Sequence, residues 1–225
     1  MAASDLVTEL QHYTSSDVAD ALVKLGVRYG GYLHGLKMFS PEQQAGSTKI
    51  VGPVVTVQMV DAADTTAPTP KQFFVDCVQP GEVVFISQPQ GYYTACWGGL
   101  MSTRSKYLGA RGVVIDGNFR DILEHRELGF PLFARATSPV GSAGVTRSSR
   151  VNVPVQFTSP EQKRPFIIHP GDYVVADADG VVIIPVHHAP ECLRLMAERA
   201  EIDRKTLEAL HKGEPMGLTI ARLRV

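Results

Sequence analysis

Gly98-Gly99-Leu100-Met101 and, further on, Asp116-Gly117-Asn118-Phe119-Arg120-Asp121 are the runs on which the fold turns. Two glycines ahead of a Leu-Met-Ser-Thr stretch read as a helix opening, so residues 98–108 are predicted helical. Residues 112–115 (GVVI) read as a short buried strand, and residues 121–128 as a second helix. If this strand runs parallel to the one before the glycines, both helices start at one edge of the sheet. Ligands of open α/β sheets bind at that edge. There the amides around Gly98, Gly99, Leu100 and Met101 form a helix N-terminus suited to an anion. Arg120 offers a planar fork for a carboxylate, and Asp121 a hard oxygen for a divalent cation. A small 2-oxo acid suits such a set. Its carboxylate pairs with Arg120 and the amides, and its oxygens chelate Mg²⁺ or Mn²⁺, whose Lewis acidity stabilises the enolate of C–C cleavage. A plainer reading stays open beside it: a helix-start charge with a surface ion pair, and a tight Gly-Gly connection.

Outward from this centre, Thr14-Ser15-Ser16-Asp17 reads as a helix N-cap, followed by Val18, Ala21, Leu22 and Leu25 at helical spacing. Gly26, Gly30 and Gly31 end that helix. Residues 49–59 are β-rich, with Gly52-Pro53 expected at a bulge or edge. Residues 61–70 read as an exposed loop, 71–78 as a short helix, and 83–86 as a strand after the Gln79-Pro80-Gly81 turn. Strands are expected at 132–134, 151–157, 173–176 and 181–184, the last two joined by a hairpin turn at 177–180. Residues 141–150 (GSAGVTRSSR) look flexible and read as a connector or an active-site loop. A long charged helix is expected over 190–211, with Leu193, Met196, Ala200 and Leu207 on one side.

The chain has 225 residues, 44% hydrophobic and 20% charged, enough to bury a sizeable core in a single domain. A net charge of −1 implies no polybasic face, so no nucleic-acid partner is expected. No apolar run approaches the roughly 20 residues of a membrane span, and residues 1–6 show no signal peptide, so a cytoplasmic protein is expected. Cys77, Cys96 and Cys192 are scattered and form no CxxC. Cys96 reads as a small buried hydrophobe. His125, one turn from Asp121, is expected on the solvent side, and His187-His188 as a surface turn whose side chains point apart. Arg104 lies either near the substrate or on the surface. Tyr92, Tyr93 and Trp97 either wall the pocket or join the core. No GxGxxG follows a strand, which argues against a dinucleotide site. An α/β middle followed by a β-rich later half fits a layered β/β/α arrangement.

The run GGLMSTRSKYLGARGVVIDGNFRDILEHRELGFPLFAR resembles the RraA-like family, which includes 4-hydroxy-4-methyl-2-oxoglutarate aldolases and regulators of ribonuclease E. SSDVADALVKLG, PGEVVFI, GDYVVADADGVVIIP and RAEIDRKTLEALHKGE are similar to further parts of that family, so nearly the whole chain is covered. The resemblance implies a swivelling β/β/α fold of the phosphohistidine-domain kind, with the body at 1–189 and a C-terminal helical arm at 190–225. It implies a homotrimer or a dimer of trimers with sites between subunits. It also implies that Arg120 binds the pyruvyl carboxylate, that Asp121 holds the metal partly through water, and that the Leu100 and Met101 amides bind substrate. An acidic residue from a neighbouring subunit's terminal helix completes the metal's water shell, Glu201 first and Asp203 second. The chain departs from the pattern at Gly99, where family aldolases carry an acidic residue that orders water for proton transfer. The expected activity is metal-dependent cleavage of a small 2-oxo acid, by oxaloacetate decarboxylation or aldol cleavage. The alternatives are a non-catalytic regulator and an enzyme with another substrate.

Overall fold

The computed structural model describes residues 3–224; Met1, Ala2 and Val225, at the ends of the expected 1–189 and 190–225 segments, lie outside the described residues. Eleven strands are β1 (Lys37–Ser40), β2 (Ile50–Asp61), β3 (Val83–Ser87), β4 (Ala95–Trp97), β5 (Gly112–Phe119), β6 (Leu132–Thr137), β7 (Thr146–Val151), β8 (Val155–Ser159), β9 (Gln162–Ile168), β10 (Tyr173–Asp177) and β11 (Gly180–Ile184). Six α-helices are α1 (Ala3–Leu10), α2 (Ser15–Lys24), α3 (Gly99–Tyr107), α4 (Ile122–Leu128), α5 (Ala189–His211) and α6 (Met216–Leu223). Nine strands form one mixed sheet in the order β1-β6-β5-β3-β2-β10-β11, with β4 added to β5 and β7 to β2. Tyr32 bridges Val182 of β11, and the Leu33 N–H donates to the Val181 carbonyl at 2.9 Å. The two ends of the sheet therefore nearly meet, and the sheet closes into an almost complete barrel.

The two-residue period of the strands sorts their side chains. Val83 and Phe85 of β3 and Val114 of β5 face the barrel interior, which the β8–β9 hairpin fills with Phe157, Phe166 and Ile168. Val84, Ile86, Val113 and Ile115 face outward, under α3, α4 and the single turn at Phe74–Cys77. Residues of β10 and β11 pack against α1, α2 and the start of α5. Full burial of each large side chain contributes about 1.5–3 kcal/mol.

The expected cap on α2 is present: Thr14 and Asp17 form a reciprocal capping box. Other elements differ from expectation. Gly52-Pro53 carries no register shift and sits inside the central strand β2, just where pairing with β3 begins at Val54. Gly52 is needed for close approach, because a Cβ there would lie 2.5 Å from the Gly81 carbonyl oxygen. Half of the 141–150 segment is strand β7, paired with β2. The 151–157 strand is broken at Asn152, whose φ is 56°. The 71–78 helix shrinks to one 3₁₀ turn. On α5 the buried stripe is Cys192, Leu193, Met196, Thr206 and Ala209, while Ala200 and Leu207 are exposed, because the helix packs on α1 and α2 through a face rotated from the one expected. Among the described residues no helix is long and apolar enough to cross a membrane.

Candidate active site

Two chain reversals meet at the end of β5. One is the Trp97-Gly98-Gly99 step from β4 into α3; the other is the Phe119-Arg120-Asp121 step from β5 into α4. The two strands run parallel, with Trp97 opposite Phe119, so both helices start at the same edge. The Arg120 N–H donates to the Trp97 carbonyl at 3.0 Å, and the Gly99 N–H donates to Asp121 Oδ2 at 3.0 Å. Asp121 adopts the left-handed region, φ 66° and ψ 43°. Behind the turn, buried Gln88 accepts from the Asn118 N–H at 3.0 Å and donates to the Thr94 carbonyl at 2.8 Å. A Cβ on Gly117 would lie 2.2 Å from Gln88 Oε1, so the glycine is what admits this brace.

Arg120 is half-exposed, and its Nε stands 3.5 Å from Asp121 Oδ2. The guanidinium passes between two glycines: a Cβ on Gly98 would approach Nε to 3.4 Å, and one on Gly141 would approach Nη1 to 2.9 Å. No hydrogen bond to either Nη appears among the described residues. The fork is therefore held in place yet open to a carboxylate. A cavity of about 240 Å³ lies between the start of α3 and the loop at 141–143, lined by Gly98, Leu100, Met101, Arg120 and Asp121 among others. A hollow of about 200 Å³ between α2 and α5 has charges of both signs and no such convergence on an open fork.

The expected helix N-terminus is largely committed. Gly99 gives its N–H to Asp121, and Met101 and Ser102 donate to the Gly98 carbonyl at 3.0 and 3.3 Å. Only the Leu100 N–H of this turn is uncommitted among the described residues. Its side chain is 86% exposed.

Glu201 and Asp203 do not line this cavity within one chain. Glu201 pairs with Arg204 and Lys205, which hold its carboxyl down to about 2, and Asp203 pairs with Arg199 and Arg224. Arg104 turns away to Asp76 at 2.7 Å. Trp97 is buried and lines the cavity, Tyr93 is 67% exposed, and the Tyr92 hydroxyl donates to Asp61. Cys96 is buried, and burial pushes its thiol up to about 12.

His125 corrects the expectation of solvent exposure. It is fully buried, because α4 is short and its inner face lies on Phe119. Its Nε2 is 2.7 Å from the Arg120 carbonyl oxygen, and its Nδ1 has no partner. The imidazole thus braces the left-handed turn from below, and burial pulls its pKa down. His187 and His188 do not point apart; their ring centroids are 4.2 Å apart.

Among the described residues no three His, Cys, Asp or Glu side chains gather to hold a metal. Asp121 has one carboxylate oxygen engaged by the Gly99 amide and the other turned to no protein donor. That fits Mg²⁺ or Mn²⁺, which keep several waters and take one or two carboxylates plus substrate oxygens.

The fold is thus a barrel-like α/β domain with an open arginine fork, a carboxylate and a helix-terminal amide on one rim. The chain belongs to the RraA-like family, whose Aldolase/RraA model matches residues 15–183. It is 37% identical over 126 residues to an uncharacterized protein of Methanocaldococcus jannaschii, covering 56% of this chain and 57% of that protein's length. It is 30% identical over 184 residues to a putative 4-hydroxy-4-methyl-2-oxoglutarate aldolase of Halalkalibacterium halodurans, covering 82% of this chain and 78% of the relative. A solved structure of Streptomyces coelicolor RraAS2, described as an unusual member of the RNase ES inhibitor RraA family, superposes with a TM-score of 0.74 at 28% identity, covering 92% and 96% of the two chains.

Proposed function

We propose that this chain is a lyase that cleaves a C–C bond of a small 2-oxo acid through a pyruvate enolate. The observation that carries the reading is the open Arg120 fork beside Asp121 on one cavity. The aldolase name of the Halalkalibacterium halodurans relative supports it. Arg120 binds the substrate carboxylate through charge-assisted bonds, and the Leu100 amide adds a neutral donor. The 141–143 loop and Trp97 shield the reacting carbons from water. Asp121 would hold Mg²⁺ or Mn²⁺, which supplies positive charge to a keto oxygen as the enolate forms. Glu201 of a neighbouring subunit, or Asp203 after it, completes the site in a trimer or dimer of trimers. The swivelling β/β/α class, the 1–189 and 190–225 division and a cytoplasmic location belong to the same proposal.

Pyruvate release from oxaloacetate and from 4-hydroxy-4-methyl-2-oxoglutarate, with Mg²⁺ and with chelator, tests the reading. Turnover that needs the metal is expected. Release no faster than the uncatalysed rate would sink it.

The likeness to RraAS2 gives weight to a second reading, a non-catalytic protein-binding regulator. Leu100 and Leu123, both strongly exposed near the rim, are the side chains it would use. A stoichiometric protein complex formed by a chain without lyase activity would favour it.

A further inference from the structure

We propose that the preferred substrate of this site is a monocarboxylic 4-hydroxy-2-oxo acid with a short, uncharged tail beyond C4, rather than a dicarboxylic one. The inference rests on the lyase reading and names its substrate class. A 2-oxo acid has a charged end, which Arg120 and the Leu100 amide bind. It also has a far end, which the rest of the cavity must match.

That far end meets no second counter-charge. Arg120 is the one cationic side chain lining the cavity among the described residues. Ala95, Leu100, Met101 and Ala143 present hydrocarbon and a thioether. Two side-chain donors of the wall are already spent. Trp97 Nε1 donates to the Ser102 hydroxyl at 2.8 Å, and the Cys96 thiol donates to the Asn118 carbonyl at 3.5 Å. Ser142 adds a hydroxyl with no hydrogen bond among the described residues, which suits the C4 hydroxyl of the substrate.

The cations of the neighbouring elements are engaged elsewhere. On α3, Arg104 pairs with Asp76, and Lys106 donates to the Leu128 carbonyl. On α4, Arg126 donates to the Phe39 carbonyl at 3.0 Å. On β7, Arg147 donates to the carbonyls of Asp64, Ala67 and Pro68, and Arg150 reaches Gln58. Arg120 itself is taken up by the first carboxylate, because its Nε faces Asp121 and its fork matches one planar anion. The residues proposed to arrive from a neighbouring subunit, Glu201 and Asp203, are acids and carry the same sign as a second carboxylate. Such a carboxylate would lose water without gaining a partner, whereas a methyl or ethyl group gains by leaving water.

The reaction balances without a co-reactant. The C3–C4 bond breaks, and its electron pair passes to C3 as the pyruvate enolate. The O–H pair of the C4 hydroxyl becomes the new C=O bond. The proton released from that hydroxyl is matched by one taken up at C3. The products are pyruvate and an aliphatic aldehyde.

Two ligand pairs that exchange only a terminal carboxylate for a methyl group test the assignment. By calorimetry in Mg²⁺ buffer, 2-oxopentanoate should bind about 30-fold more tightly than 2-oxoglutarate. Pyruvate release from 4-hydroxy-2-oxopentanoate should exceed that from 4-hydroxy-2-oxoglutarate by a similar factor in kcat/KM. One further methylene, in 4-hydroxy-2-oxohexanoate, should add about threefold. Ala143→Lys places a cation on the far wall and should narrow or invert the first two ratios. Equal or tighter binding of 2-oxoglutarate by wild type overturns the proposal, whatever the variant does. Ratios that Ala143→Lys leaves untouched overturn the placement of the tail against this wall. Selective binding of 2-oxopentanoate with no pyruvate released from any of the hydroxy acids overturns the lyase reading and leaves the ligand class standing. Binding of neither 2-oxo acid overturns both.

Discussion

The chain holds two Arg–Asp pairs near one end of β5, and they are built in opposite ways. Arg135 and Asp116 are locked together. Asp116 is 1% exposed, the Arg135 Nε donates to its carboxylate, and the guanidinium also reaches the Thr158 carbonyl and covers the Phe157 ring at 4.8 Å. Arg120 and Asp121 are neighbours in sequence, half-open to solvent, and 3.5 Å apart. The first pair spends its hydrogen bonds on tying the β8–β9 hairpin to the sheet. The second leaves its fork open toward a cavity. A closed pair is a structural tie; an open one keeps its donors available.

The sharpest way to break this contrast is Arg135→Ala. It strands a buried carboxylate and should cost about 3–5 kcal/mol in urea unfolding. Burial already pushes Asp116 up to about 6, despite Arg135 beside it. A carboxyl with a raised folded pKa contributes stability below its ordinary value near 3.8, lost as pH rises through about 6. The deficit of Arg135→Ala should therefore shrink between pH 7 and pH 5. A deficit that grows on acidification contradicts the buried-charge account. Arg120→Ala should do the reverse. It should lower kcat/KM by about 2 kcal/mol, or some 30-fold, for a lost charged hydrogen bond, and leave the thermal midpoint close to wild type. A large loss of stability would show that this pair is also structural.

His125→Gln should cost about 1 kcal/mol, since the bond to the Arg120 carbonyl is weakened. Burial lowers the His125 pKa below 6.5, so the stability it contributes is present above pH 6.5 and lost as pH falls below it. The loss of stability toward acid expected of wild type should flatten in the variant, measured by chemical unfolding between pH 7.5 and 5.5. Least of all, Glu201→Gln should leave the unfolding midpoint unchanged, because exposed ion pairs contribute little. It should slow pyruvate release only if α5 of a neighbouring subunit reaches the rim.

The rim was legible in the sequence because its signals are local. Gly98-Gly99 opens α3 and Arg120-Asp121 opens α4, as the pattern predicts. What closes around them was not. His125 reads as polar and exposed because a helical pattern of seven residues leaves its inner face undefined; only contact with Phe119 and the Arg120 carbonyl decides it. Glu124 over Gly99 and Gln88 under Gly117 are tertiary meetings between distant or offset positions. Strand β9 hides behind Lys163-Arg164-Pro165, whose side chains face solvent while Phe166 and Ile168 plug the barrel. Strands β1 and β4 span four and three residues, too short for periodicity to register. The amides of α3 read as free donors, yet the turn consumes all but one of them.

The left-handed backbone at Asp121 restricts which replacements the position accepts before any chemistry is considered. Glycine, asparagine and aspartate enter that region readily, while other residues pay about 1–2 kcal/mol and branched ones more. The metal-holding role proposed for Asp121 demands an oxygen donor, which removes glycine. Two alphabets, one set by torsion and one by coordination, intersect in only two letters. A saturation library at 121 should therefore return aspartate and asparagine as the folded, ligand-competent clones. Glutamate, the nearest chemical relative of aspartate, should rank below asparagine.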